Sequence, residues 1–201
     1  MPAAPVLWGE VDEQPLRPGT WNLDAIHSQV MVSVVHYGLV QLRAKFPAVR
    51  GRLEVDAEDP LHSKFTLEID AASVLTGHPR QEEFMRSEPW LDAERHPLIT
   101  FVATSIEPGA DAGFILTGDL TLRGVTRELR MPLAFHGVVS DPWGLRAGFS
   151  AGFSLDRRDF GIAWDRVFDW GLMAAHELNF SLDIELAYAD ESLAQKPRQI
   201  D

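Results

Sequence analysis

The chain has 201 residues, with 30 acidic against 18 basic side chains for a net charge of −12, and no cysteine. The length fits one domain of ordinary size. The missing thiols exclude disulfides, thiolate nucleophiles and cysteine–metal sites, and the acidic balance opposes nucleic acid and anionic membrane surfaces at long range.

No run approaches the ~18 apolar residues of a membrane-spanning helix. The opening MPAAPVLWGEVDEQPLRPGT has no basic start followed by an apolar stretch, so a soluble, cytoplasmic protein without a secretory signal is expected. Residues 1–18 carry four prolines and little periodicity, which reads as a flexible lead-in. Residues 190–201 read as a polar tail that frays. One domain, 19–189, remains.

Within it, strand patterns follow one another. Ser28–Tyr37 alternates, with Val30, Val32, Val34 and His36 on one face. Arg50–Asp56 supplies a further strand. Phe65, Leu67 and Ile69 make the next run, then Ile99, Phe101 and Ala103, then Leu116, Leu120 and Leu122 with Gly118 between them. Leu129 to Phe135, Phe149 to Leu155 and Leu178 to Leu186 complete the series. Alternate residues of a strand point to opposite faces, so each run defines one apolar face.

Turn residues separate the runs: Pro108-Gly109, Gly124, Gly137 and Asp141-Pro142-Trp143-Gly144. Residues 77–93 differ. Arg80 to Arg86 are good helix formers without alternation, and Pro79 stands where a helix can begin. The pattern predicts an all-β fold of about eight antiparallel strands with a short helical insertion, either a sandwich or a barrel. Eight strands make roughly the smallest barrel that still holds one small ligand.

Phe101, Phe135, Phe149, Phe153 and Phe180 all fall on the inferred inward faces. Composition alone leaves a packed core and a cavity both open. Gly118 and Ala151, small residues beside large ones, favour a cavity.

Five segments stand in a familiar order: TWNLDAIHSQVMVSVVHYG, SVLTG, RSEPWLDAERHPLITFVATSI, TGDLTLRGVTREL and LDRRDFGIAWD. From Gly19 to Tyr188 the sequence resembles the YceI family of lipocalin-like proteins. The resemblance implies an eight-stranded antiparallel barrel with an apolar tunnel that binds a polyisoprenoid, isoprenoid quinone or fatty-chain amphiphile, with no cofactor and no catalysis. It is also compatible with a homodimer. Three departures stand out. Gln81-Glu82 replace the usual Arg-Asp, with Arg80 a neighbour able to take over the lost pairing. LRAKFPAVRGRLEV replaces a shorter link, and so alters one mouth. Trp164, Phe168 and Trp170 add bulk that narrows or caps the tunnel.

The expected ligand-binding walls are Val32, Val34, Phe101, Leu116, Leu120, Phe135, Phe149, Phe153, Phe180 and Leu182, with His36 as a headgroup donor at a strand end. Affinity for such a ligand needs little beyond burial, about 0.8 kcal/mol per methylene. Catalysis by Asp24, His27 and Ser28 is disfavoured, because adjacent strand residues point to opposite faces. The seven histidines show neither an i, i+4 pair nor a His-x-His pair, so no metal is expected. No phosphate-cradling glycine loop is present. Arg157-Arg158-Asp159 reads as a solvated, locally paired turn, with Arg157, the position carried over from the family, buttressing the strand end. Gly161, Gly118 and Gly124 are read as turn or close-approach positions.

Two other functions compete with a carrier. One is a filled barrel serving as an interaction module. The other is an enzyme on an apolar substrate with His36 as general base.

Overall fold

The alternating runs become the strands of one closed sheet. The computed structural model describes residues 16–109, 113–168 and 171–189; nearly all of the expected lead-in and the expected tail lie outside them. The strands are β1 (Gly19–Leu23), β2 (Gln29–His36), β3 (Val40–Lys45), β4 (Val49–Val55) and β5 (Lys64–Asp70). The helix α1 (Pro79–Arg86) follows, then β6 (Leu98–Pro108), β7 (Phe114–Leu122), β8 (Val125–Asp141) and β9 (Gly144–Asp156). A two-residue ribbon, β10 (Val167–Phe168) with β11 (Gly171–Leu172), precedes β12 (Ala174–Tyr188).

Neighbours from β4 to β9 pair antiparallel in sequence order. The closing strand β12 pairs with β9 on one edge. Its other edge is shared, β2 taking residues 174–183 and β1 taking 186–188. In turn β1 pairs with β4 and β2 with β3. So β1 and β2 act as one interrupted strand and β3 and β4 as another, and the sheet is an eight-stranded antiparallel barrel. Closure leaves no free row of backbone groups along most of its circumference.

Each interruption has a local cause. Between β1 and β2, the Asp24 carboxylate accepts from the backbone N–H of Ile26 at 3.0 Å and turns the chain. The Ser28 hydroxyl then donates to the Glu185 carbonyl and accepts from the Glu185 N–H at 3.0 Å. Between β3 and β4 stands Pro47, which has no N–H to give a ladder. The segment LRAKFPAVRGRLEV, expected to reshape a mouth, is therefore mostly regular strand: it extends the barrel wall as β3 and β4. Neither β1 nor β3 was anticipated as a separate strand.

The helix begins at Pro79 as predicted, and charged side chains hold it to the barrel end. Glu82 accepts from the N–H groups of Thr76 at 2.9 Å and Gly77 at 3.0 Å. Arg86 donates to the carbonyls of Ala72 at 2.7 Å and Val74 at 3.0 Å. Arg80 is exposed; the pairing expected of it falls to Arg86, which lies 3.6 Å from Glu82. Backbone donation by Thr76, with Gly77 and Arg86 adding to it, holds the Glu82 carboxyl below its ordinary range.

Candidate functional site

Inward faces of the strands enclose two adjoining cavities rather than a filled core. The larger, about 310 Å³, is walled by side chains of β5 to β9 and β12, with Leu16, Val30 and Leu53 adding to it. The smaller, about 230 Å³, lies toward α1 and is bounded by β2, β3, α1, the Trp90-Leu91 turn, Ile162, Trp164, Met173 and Ala174. Ile99, Leu122 and Phe180 border both. These three side chains stand between the two chambers, at a waist of the barrel interior.

The expected walls divide between the chambers. Phe101, Leu116, Leu120, Phe135, Phe149, Phe153 and Leu182 line the larger. Val32, Val34 and His36 line the smaller, and Phe180 faces both. Phe153 and Phe180 stack with centroids 4.9 Å apart, and Phe135 lies 5.1 Å from Phe149. Val34, Phe135, Phe149, Phe153 and Phe180 are only partly buried. Inward side chains of a packed core would be fully covered; these keep accessible surface because they face empty space.

The two small residues play different parts. Ala151 does border the larger chamber. Gly118 does not open it, because the Phe101 ring lies against the glycine and fills the place of a side chain. Gly161, at φ +73° after the turn Arg157–Phe160, adopts the left-handed conformation anticipated for it.

Sequence reasoning passed over much of the smaller chamber: Leu42, Phe84, Met85, Trp90, Ile162 and Met173. Phe84 and Met85, two apolar residues amid the charged residues of a short helix, were the legible signal. Trp164 borders the chamber, its ring 5.1 Å from Phe84 and 5.9 Å from Trp90. Its ring adds bulk to the wall at this end of the barrel; Trp170 and the Phe168 side chain lie outside the described residues.

Arg157 buttresses the strand end as expected of it, but from within the structure. It is wholly buried, not solvated. Its guanidinium donates to the carbonyls of Ile162 at 2.7 Å, Ala175 at 3.0 Å and Ala174 at 3.3 Å, and to Asp165 at 2.7 Å. It also lies 5.3 Å from the centre of the Trp90 ring. This one side chain ties the segment 162–165 and the start of β12 to the chamber wall. The Arg157 hydrogen bond holds the Asp165 carboxyl below its ordinary range, with His176, 3.1 Å away, adding to it. The neighbouring Arg158 is exposed; its hydrogen bond to Asp156 brings that carboxyl down to about 2.

Little on the channel walls is equipped for acid–base chemistry. Among the described residues only His36 and Arg43 are titratable groups bordering either chamber. His36 is the last residue of β2, its ring 4.1 Å from that of Tyr37. The Asp24–His27–Ser28 arrangement lies outside the channel, and the Ser28 hydroxyl is engaged by backbone. Folding does bring Asp24, His27 and Glu185 together, which sequence spacing did not reveal. The Arg146 guanidinium occupies that cluster, 3.1 Å from Asp24, 3.1 Å from Asp141 and 3.9 Å from Glu185, and supplies the cation these carboxylates require. Burial pushes the Asp24 carboxyl up, but hydrogen bonds from His27 and from two backbone N–H groups outweigh it and leave it lowered.

A sequence model of the YceI-like domain family matches residues 21–186. A UPF0312 protein of Pseudomonas syringae pv. syringae is 34% identical over 137 residues, covering 68% of this chain and 71% of that one. A UPF0312 protein of Azotobacter vinelandii is 35% identical over 140 residues, covering 69% and 73%. Among solved structures, BcnA of Burkholderia cenocepacia superposes with a TM-score of 0.69 at 20% identity over 81% of this chain and 98% of that one. A polyisoprenoid binding domain from Saccharophagus degradans superposes with a TM-score of 0.65 at 14% identity, covering 83% and 97%.

Proposed function

The chain belongs to the YceI-like domain family, and from that premise we propose that it is a non-catalytic carrier holding one long apolar molecule in its channel. The ligand class is a polyisoprenoid, an isoprenoid quinone or a fatty-chain amphiphile. The carrying observation is the pair of apolar chambers that adjoin at Ile99, Leu122 and Phe180. Their apolar walls run along β12 from Ala174 to Leu186. At about 3.3 Å per residue and a tilt near 40°, that stretch extends roughly 30 Å along the barrel axis. A space of that length and polarity suits a chain, not a compact ring.

Affinity follows from burial. A ligand of ~30 heavy atoms at roughly 0.3 kcal/mol per atom gains about 9 kcal/mol, near-micromolar or tighter binding, without a strong polar contact. The Saccharophagus domain, named for polyisoprenoid binding, supports the same ligand class. Native purification followed by mass spectrometry of the intact complex and of its organic extract tests the reading. A stoichiometric prenyl, quinone or fatty-chain species is expected. An apo mass that does not change when isoprenoid quinones are added would overturn it.

A further inference from the structure

The wall of the smaller chamber has a seam that no ladder closes. The sheet ends at β3, which pairs with β2 along one edge. Among the described residues, its other edge is bridged once, by Lys45 to Leu75. Leu42 and Arg43 border the chamber on the β3 side of this seam, and Gln81 and Phe84 on the α1 side. Side chains rather than backbone hydrogen bonds complete the wall here, so this stretch opens at the least cost.

The surface beside the seam is apolar. At the tip of the β2–β3 hairpin Leu39 is 81% exposed and Val40 56%, and Leu75 and Phe84 are exposed as well. The tip continues the chamber wall: Val40 pairs with His36, and the Leu39 N–H donates to the His36 carbonyl at 2.9 Å. Four of the nine large apolar side chains that the described residues expose thus flank one seam. Singly scattered they would need no explanation; grouped, they mark an interaction surface.

Charge indicates what covers it. Arg43, Lys45 and Arg80 are exposed on the two sides of the seam, against Glu83. Arg43 donates to the Gln41 side-chain oxygen at 3.1 Å, while Glu82 and Arg86 of α1 are engaged with backbone groups and with each other. On a chain of net charge −12 this is a local basic excess. An apolar tip within a basic margin fits the boundary between headgroups and acyl chains of an anionic bilayer. The acidic remainder of the chain is repelled by the same surface, which orients the seam toward it.

We propose that the protein docks on a lipid bilayer through the β2–β3 hairpin tip, with Leu39 and Val40 in the acyl boundary, and that the apolar ligand passes between the bilayer and the smaller chamber through the β3–α1 seam. This rests on the carrier reading above and adds the surface from which the carrier loads.

The test uses the full chain and vesicles of equal parts phosphatidylcholine and phosphatidylglycerol. The wild type should sediment with them, less so as salt is added. Leu39→Asp should weaken the association by about tenfold or more, and Arg43→Gln by about fivefold. Ile26→Asp, at an equally exposed site between β1 and β2, should leave it unchanged. With a prenylated benzoquinone dissolved in the vesicles, Leu39→Asp should load more slowly than the wild type. With the same quinone supplied in detergent the two should load alike, which shows the variant folded and its chamber intact.

A wild type that loads from detergent but does not sediment with vesicles overturns the proposal and leaves the carrier reading standing. So does loading from vesicles that is indifferent to Leu39→Asp. A dimer that Leu39→Asp dissociates, without vesicle binding, would name a second copy as the occupant and overturn it likewise. A wild type that loads from neither source overturns the carrier reading, and the proposal with it.

Discussion

The ring of Phe101 stands where a side chain at residue 118 would be. A Cβ built on Gly118 would lie 2.5 Å from the Phe101 ring and 2.4 Å from the Val102 carbonyl oxygen. Gly118 faces Ala103 on β6, beside a register shift between Ala103 and Ser105. The glycine lets two strands approach closely and brings an aromatic wall against backbone.

Gly118→Ala should therefore destabilise the barrel by about 1–3 kcal/mol through overpacking. Pairing it with Phe101→Leu should recover only part of the loss, since the Val102 carbonyl remains in the way. Denaturant melts of the two single variants and the double variant check this. Full recovery in the double variant would assign the whole effect to the ring.

Arg157→Ala should cost about 3 kcal/mol or more, because it leaves a buried acceptor set unpaired. Arg157→Lys should restore little, since an ammonium cannot reproduce the planar fork that reaches Asp165 and three carbonyls. Arg158→Ala, at an exposed neighbour, should leave the melting temperature unchanged. Equal effects at the two positions would contradict the burial argument.

The Asp165 carboxyl titrates below its ordinary value of 3.8 when folded. Its charge therefore stabilises the fold above that value, and the stabilisation is lost as the pH falls through the lowered folded value. The stability difference between wild type and Asp165→Asn should be constant from neutral pH to about pH 4, then shrink as the pH falls further. Chemical melts across that range measure it. A difference that grows on acidification would reverse the assigned sign.

Channel dimensions are open to alteration from the wall. Ala151→Phe places a ring in the larger chamber, where there is room for it, so the melting temperature should hold while bound ligand in native extracts falls. Phe180→Ala removes part of the waist. It should cost about 3 kcal/mol and shift the cargo toward longer or bulkier chains. An unchanged ligand profile in both variants would mean that the cargo does not occupy these chambers.

Period-2 alternation was enough to find most of the wall. Val30, Val32, Val34, Phe149, Phe153, Phe180 and Leu182 were assigned inward from their spacing alone, and the sheet puts all of them there, because a strand in a half-buried sheet has one apolar face. The helix at Pro79 and the turn at Gly161 were legible for the same kind of reason: a fixed φ in one case and a left-handed φ in the other.

Other features depended on contacts between residues far apart in the chain. Whether inward phenylalanines fill a core or border a channel depends on the curvature with which eight strands close, which no single strand encodes. The partners that bury Arg157 come from Ile162, Asp165, Ala174 and Ala175, which sequence spacing does not bring together. Asp24, His27, Arg146 and Glu185 meet only where β12 lies between β1 and β9. Trp90, an ordinary aromatic in the sequence, becomes an unpaired donor once Phe84, Trp164 and Arg157 surround it. The sequence by itself determined which face of each strand is apolar, since that is a local periodicity. Only the tertiary structure decided how much space those faces enclose and which buried polar atoms find partners, because both depend on the distances between strands.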